Sequence, residues 1–117
     1  MDSQGVRDLI GRLIESTRSG KFRWQETADE NLFRLVLDAG IIHVRRIRMQ
    51  HVSATRGPDN YDLVFLNQNS TPVEDWQPDQ GRDIEQLKAL YEAARDSALK
   101  PSEFLRNLEK EVIRRSG

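Results

Sequence analysis

The chain has 117 residues, one domain's worth, with 37% apolar and 32% charged side chains and a net charge of −1; that is a globular mix rather than a disordered one, and it lacks the basic excess usual in nucleic-acid binders. It contains no cysteine, which excludes disulfides, thiolate nucleophiles and zinc–thiolate sites. No apolar run approaches the ~20 residues that cross a bilayer, and residues 1–7 carry no signal-peptide core, so the expected compartment is the cytoplasm, where the sequon Asn69-Ser70-Thr71 is chemically idle.

Val6, Leu9, Ile10, Leu13 and Ile14 recur at helical spacing, with Arg7, Asp8, Arg12 and Glu15 on the other side, so the chain opens on an amphipathic helix. Ser3 is suited to cap its start. Ser19-Gly20 is suited to end it, with glycine in the left-handed conformation. Residues 21–27 follow as a short strand in which Phe22 and Trp24 alternate with Arg23. After the polar turn at 28–31, residues 32–37 form a second strand with Phe33, Leu35 and Leu37 on one face. Asp38-Ala39-Gly40 reverses the chain, Gly40 being free to take a positive φ, and Ile41 opens a third strand. Residues 50–60 read as a loop with strong turn chemistry in Gly57-Pro58-Asp59-Asn60. Residues 61–67 make a fourth strand, with Tyr61, Leu63 and Phe65 together. Residues 72–76 make a fifth, at a sheet edge because Pro72 cannot donate to a central ladder.

The period then changes. Asp83 is placed to cap a helix that carries Ile84, Leu87, Leu90, Tyr91, Ala94 and Ala98 on one stripe and ends at Pro101. A further helix starts at Pro101-Ser102-Glu103 and carries Phe104, Leu105, Leu108, Val112 and Ile113, with Arg114 and Arg115 suited to its C-terminus. Short turns between strands make the sheet antiparallel. The expectation is a single α+β domain over residues 1–117: an N-terminal helix, about five antiparallel strands and two C-terminal helices in two layers. All three apolar stripes are expected to lie on one face of the sheet.

Two stretches, LIGRLIESTRSGKFRW at 9–24 and LYEAARDSALK at 90–100, resemble segments of small bacterial α+β proteins of unassigned function. In those, too, a helix, a Ser-Gly-Lys turn and an aromatic strand precede an antiparallel sheet, and an LYE-x-A helix follows. The resemblance implies the same element order and a bacterial or phage setting. It brings no catalytic residue and no ligand.

The segment IIHVRRIRMQH, residues 41–51, gathers three arginines and both histidines. Strict alternation mixes apolar and charged residues on both faces. A bulge at Arg45-Arg46 would bring Ile42, Val44, Ile47 and Met49 together inside and turn His43, Arg48 and one of the two arginines outward. The strip is then either the wet face of an antiparallel sheet or a phosphate grip. With Arg56 it holds four arginines and no acid across residues 41–56. Charge is split mildly along the chain, with 10 basic and 8 acidic side chains in residues 1–60 and 8 basic and 11 acidic in 61–117. Trp76, beside Pro78 on the expected edge strand, serves either as core or as an anchor for a partner.

The chemistry of common sites is missing. His43 and His51 lack metal-ligand spacing, even with Asp38 or Asp59 nearby. Pro58-Asp59 is not followed by the acid and lysine of a metal-dependent nuclease strand. No nucleophile elbow, dinucleotide fingerprint or phosphate loop is present. Asp29-Glu30 and Glu74-Asp75 are adjacent pairs that point apart on a strand. No cofactor is expected. These readings converge on a non-catalytic module that acts through a protein partner or self-association, with Arg45, Arg46, Arg48, Arg56 and Trp76 as the candidate binding surface. A nucleic-acid-binding accessory role for a basic sheet face is the alternative, and no membrane partner is expected. Were the arginines instead to lie beneath the helices beside a cavity, an anionic ligand would be the natural reading.

Overall fold

The computed structural model describes residues 3–48, 59–78 and 80–116. Apolar spacing at 3.6 residues builds α1 (Ser3–Arg18), α2 (Gly81–Leu99) and α3 (Pro101–Ser116); alternation between them builds β1 (Gln25–Glu26), β2 (Leu32–Leu37), β3 (Gly40–Ile47), β4 (Asn60–Leu66) and β5 (Pro72–Trp76). All neighbours pair antiparallel in the order β1-β2-β3-β4-β5, which leaves the proline-bearing β5 at an edge. The fold is α+β. Phe33, Leu35, Ile42, Val44, Tyr61 and Leu63 face inward, and Val6, Ile10, Leu13, Leu87, Leu90, Tyr91 and Ala94 of α1 and α2 cover them. The loop read at 50–60 falls largely outside the described residues.

Both ends of α1 have physical causes. Ser3 is the first helical residue described rather than a cap. At the other end the Lys21 N–H reaches the Ser16 carbonyl and the Gly20 N–H reaches that of Thr17, while Gly20 sits at φ 83°. This is a Schellman stop, and it needs the glycine that the sequence places there. The expected strand at 21–27 shrinks to Gln25–Glu26, because the backbone before it is engaged elsewhere. The Ser97 hydroxyl on α2 accepts from the Trp24 N–H and donates to the Phe22 carbonyl. The Trp24 indole N–H donates to the Thr17 hydroxyl, burying the ring between α1 and α2.

Asp83 does not cap α2. Gln80 occupies the cap without a side-chain bond, and Asp83 sits in the first turn with its carboxylate taken by Arg7 of α1 in a two-pronged contact, 2.8 and 3.1 Å long. Gln86 adds a bond to the Arg7 carbonyl. α1 and α2 are thus clamped at one end by charge and along their length by Ile10, Leu87 and Leu90. Gly40 is not at positive φ. It is needed because β4 runs so close that a Cβ there would strike the Leu66 carbonyl.

The expectation that three helices cover the sheet fails for α3. Lys100, in the left-handed conformation at φ 47° and ψ 59°, donates its N–H to the Asp96 carbonyl to close α2, while its own carbonyl accepts from Phe104 to open α3. Pro101 cannot continue α2 but is suited to the first turn of a new helix. The two helices are therefore one bent unit, and α3 leaves the sheet. The radius of gyration is 16.7 Å, against roughly 13 Å for a fully compact chain of this length.

Two outcomes check this account. Hydrogen bonding from Arg7 holds the Asp83 carboxyl below its ordinary pKa, so its contribution to stability is complete above that range and is lost as pH falls through it. Asp83→Asn should lower stability at neutral pH and flatten the loss of stability below about pH 4, measured by urea unfolding across pH. Gly40→Ala should cost about 1–3 kcal/mol by the same assay, because the β4 backbone has to give way.

Candidate functional site

The structure scatters the expected binding surface. β3 pairs without interruption on both sides, Ile41 to Ile47 against β4 and Gly40 to Arg45 against β2, so the expected bulge at Arg45-Arg46 is absent. An extra residue there would have to be accommodated by both neighbouring strands at once. Strict alternation follows. Arg45 points to the outer face, where its Nη2 lies 2.6 Å from Oδ2 of Asp62, a carboxylate that is itself only 2% exposed. Arg46 points to the helix-covered face. Arg48 lies just past the end of β3, exposed, and Arg56 lies outside the described residues. Trp76 turns inward opposite Leu63 and packs against the core, half-buried, with an indole N–H that has no partner among the described residues.

On the outer face, Arg34, His43, Val64 and Asp75 form a row across β2 to β5. This is a mixed row, not a basic strip. Burial first, and Arg34 second, push the His43 pKa below its ordinary value. Among the described residues no three His, Asp or Glu side chains are placed to hold a metal ion, and no helix is long and apolar enough to cross a membrane.

Two other features stand out. One is α3: Phe104, Leu105, Val112 and Ile113 are 59–63% exposed and Leu108 is 41% exposed. They lie on a helix that also carries seven charged residues. The sequence shows this stripe clearly, and its outward placement was missed because every stripe was assigned to the sheet.

The second feature is where Arg46 ends up. Its backbone N–H bonds the Asn31 carbonyl, and its guanidinium donates twice to Asn31 Oδ1, at 3.0 and 3.3 Å. The guanidinium carbon stands 5.5 Å from the centroid of the Tyr91 ring, which packs in turn on Phe33 and Tyr61. Such stacking is favourable by about 0.5–2 kcal/mol depending on solvent access. The result is a cleft of about 300 Å³ at the end of the sheet, lined by Arg46, Arg48 and Arg95 together with Tyr91, Phe33 and Leu99, and by Glu26, Asp29 and Glu30. A shallower hollow continues past Arg95 to Tyr61. Burial, more than any neighbour, holds the Tyr61 hydroxyl in its protonated form by raising its pKa. In the sequence Tyr61 and Tyr91 read only as members of apolar stripes. That Tyr61 stands opposite Arg46 depends on the β3–β4 register, which a single sequence does not display.

Comparison of the chain with protein families, with curated proteins and with solved structures finds no match.

An NMR titration of His43 should give a midpoint below about 6.5, and Arg34→Ala should raise it part of the way. Since the folded value lies below the unfolded one, this residue's contribution to stability is complete above about pH 6.5 and declines as pH falls toward the folded value.

Proposed function

We propose that the protein is a non-catalytic interaction module that self-associates through α3. The observation that carries this reading is a helix with five large apolar side chains in solvent and none of them buried against the sheet. Isolated helices of about this length are marginal in water, and packing of an apolar face is what ordinarily stabilises them.

A second copy is the occupant favoured by the layout of α3 itself. An antiparallel two-fold pairing centred between Leu108 and Glu109 sets Phe104 level with Ile113 of the partner subunit and Leu105 level with Val112 of the partner subunit. Opposed helix dipoles add to the match. This surface replaces the sheet face as the principal contact. Of the arginines expected there, Arg45 is paired with Asp62 and Arg46 faces the other way. The bacterial or phage setting implied by the resemblance, and a cytoplasmic location, belong to the same proposal.

A contact of one helix per subunit lies at the small end of specific interfaces, so we expect a dimer of roughly micromolar affinity. Sedimentation equilibrium of the full chain should show a monomer–dimer equilibrium. Leu108→Asp, which places a charge at the centre of the pairing, should weaken it by about tenfold or more while leaving the thermal midpoint of the diluted monomer unchanged, because Leu108 touches no core residue. A wild-type chain that stays monomeric to several hundred micromolar would sink the reading.

A further inference from the structure

We infer that the cleft between the end of β3 and α2 binds a small phosphomonoester that also carries an amine. The inference stands apart from pairing through α3. It starts from three guanidiniums, Arg46, Arg48 and Arg95, that line one opening and make no ion pair with any carboxylate among the described residues. Elsewhere on the chain, Arg7 has Asp83 and Arg45 has Asp62.

Arg46 is the fixed member. Asn31 and the Tyr91 ring hold its guanidinium in place, and both are neutral, so its positive charge is oriented but not cancelled. A half-buried charge with no counterion among the described residues is unfavourable, and an anion in the cleft relieves it. Arg95 follows Tyr91 by four residues on α2, hence on the same side of the helix and one turn on. Arg48 extends β3 by one residue beyond its last ladder position, from the other wall. The cationic end of the cleft is therefore built from two elements and braced by a third.

The shape and the charge of the rest of the cleft narrow the ligand. Three guanidinium forks match the three terminal oxygens of a phosphomonoester, whereas one fork satisfies a carboxylate. At about 300 Å³ the space is at the lower end of small-molecule sites. Glu26, Asp29 and Glu30 also line it. These carboxylates repel a continuous polyphosphate chain and favour a ligand whose remaining part is a cation. Phe33, Leu99 and the Tyr91 ring offer a short apolar floor between the two ends. A phosphorylated amino alcohol has this chemistry.

The test is a titration of the full chain, followed by amide NMR shifts, with O-phosphoethanolamine, with inorganic phosphate and with a short oligothymidylate. O-phosphoethanolamine should saturate shifts at Arg46 and Arg95 at about five- to tenfold lower concentration than inorganic phosphate. Arg95→Gln, an exposed position whose change leaves the core intact, should weaken both by about tenfold. Glu30→Gln should narrow the difference between the two probes, because O-phosphoethanolamine loses an attracting neighbour and inorganic phosphate a repelling one. The inference is overturned if O-phosphoethanolamine gives no saturable shift by about 20 mM, if Arg95→Gln binds as well as the wild type, or if the two phosphates bind equally. Tighter binding of oligothymidylate than of O-phosphoethanolamine would also overturn it, and would mark the cleft as part of a nucleic-acid surface.

Discussion

β3 sits at the centre of the sheet and is hydrogen-bonded on both edges along nearly its whole length. A strand in that position cannot shift a side chain from one face to the other without disturbing two neighbours. The mixed character of IIHVRRIR is therefore not repaired by the backbone. It is passed to the side chains, and each face finds its own answer. Outside, Arg45 is met by Asp62 directly opposite on β4. Inside, Arg46 uses its long aliphatic stem to run out along the apolar face and place its charge on the rim, over Tyr91 and against Asn31. The cleft is the geometric remainder of that compromise.

A second constraint is width. Five strands spaced about 4.8 Å apart present a face roughly 20–24 Å across. Two helices, each about 10 Å in diameter with side chains, cover it. α1 and α2 do so, joined by the Arg7–Asp83 pair and a shared run of leucine and isoleucine. No inward face is left for α3, whatever its stripe would prefer. The same count was available from the sequence, where three apolar helices and one small sheet already implied that one helix had to find its cover elsewhere.

Much of the architecture was legible because local chemistry and global packing agree. The Ser19-Gly20 stop, the two-residue turn before Gly40, the edge position of Pro72 and the break at Pro101 each follow from what one or two residues can do to a backbone. What was not legible depends on residues far apart in the chain. Phe22 and Trp24 alternate like a strand, yet a serine 73 positions beyond Trp24 takes the backbone groups a strand would have used. Asp83 looks like a helix cap until Arg7 arrives from the opposite end of the chain. The meeting of Arg46, Arg48 and Arg95 belongs to this class: two come from a strand end and the third from a helix that begins more than thirty residues later.

Lys100 is the joint between α2 and α3, and it has no slack. Its amide ends one helix and its carbonyl begins the next, so not even a single residue of free linker separates them. The joint also fixes a spacing along the chain: anything that covers the C-terminal arm begins about two turns of continuous helix beyond Tyr91 and Arg95.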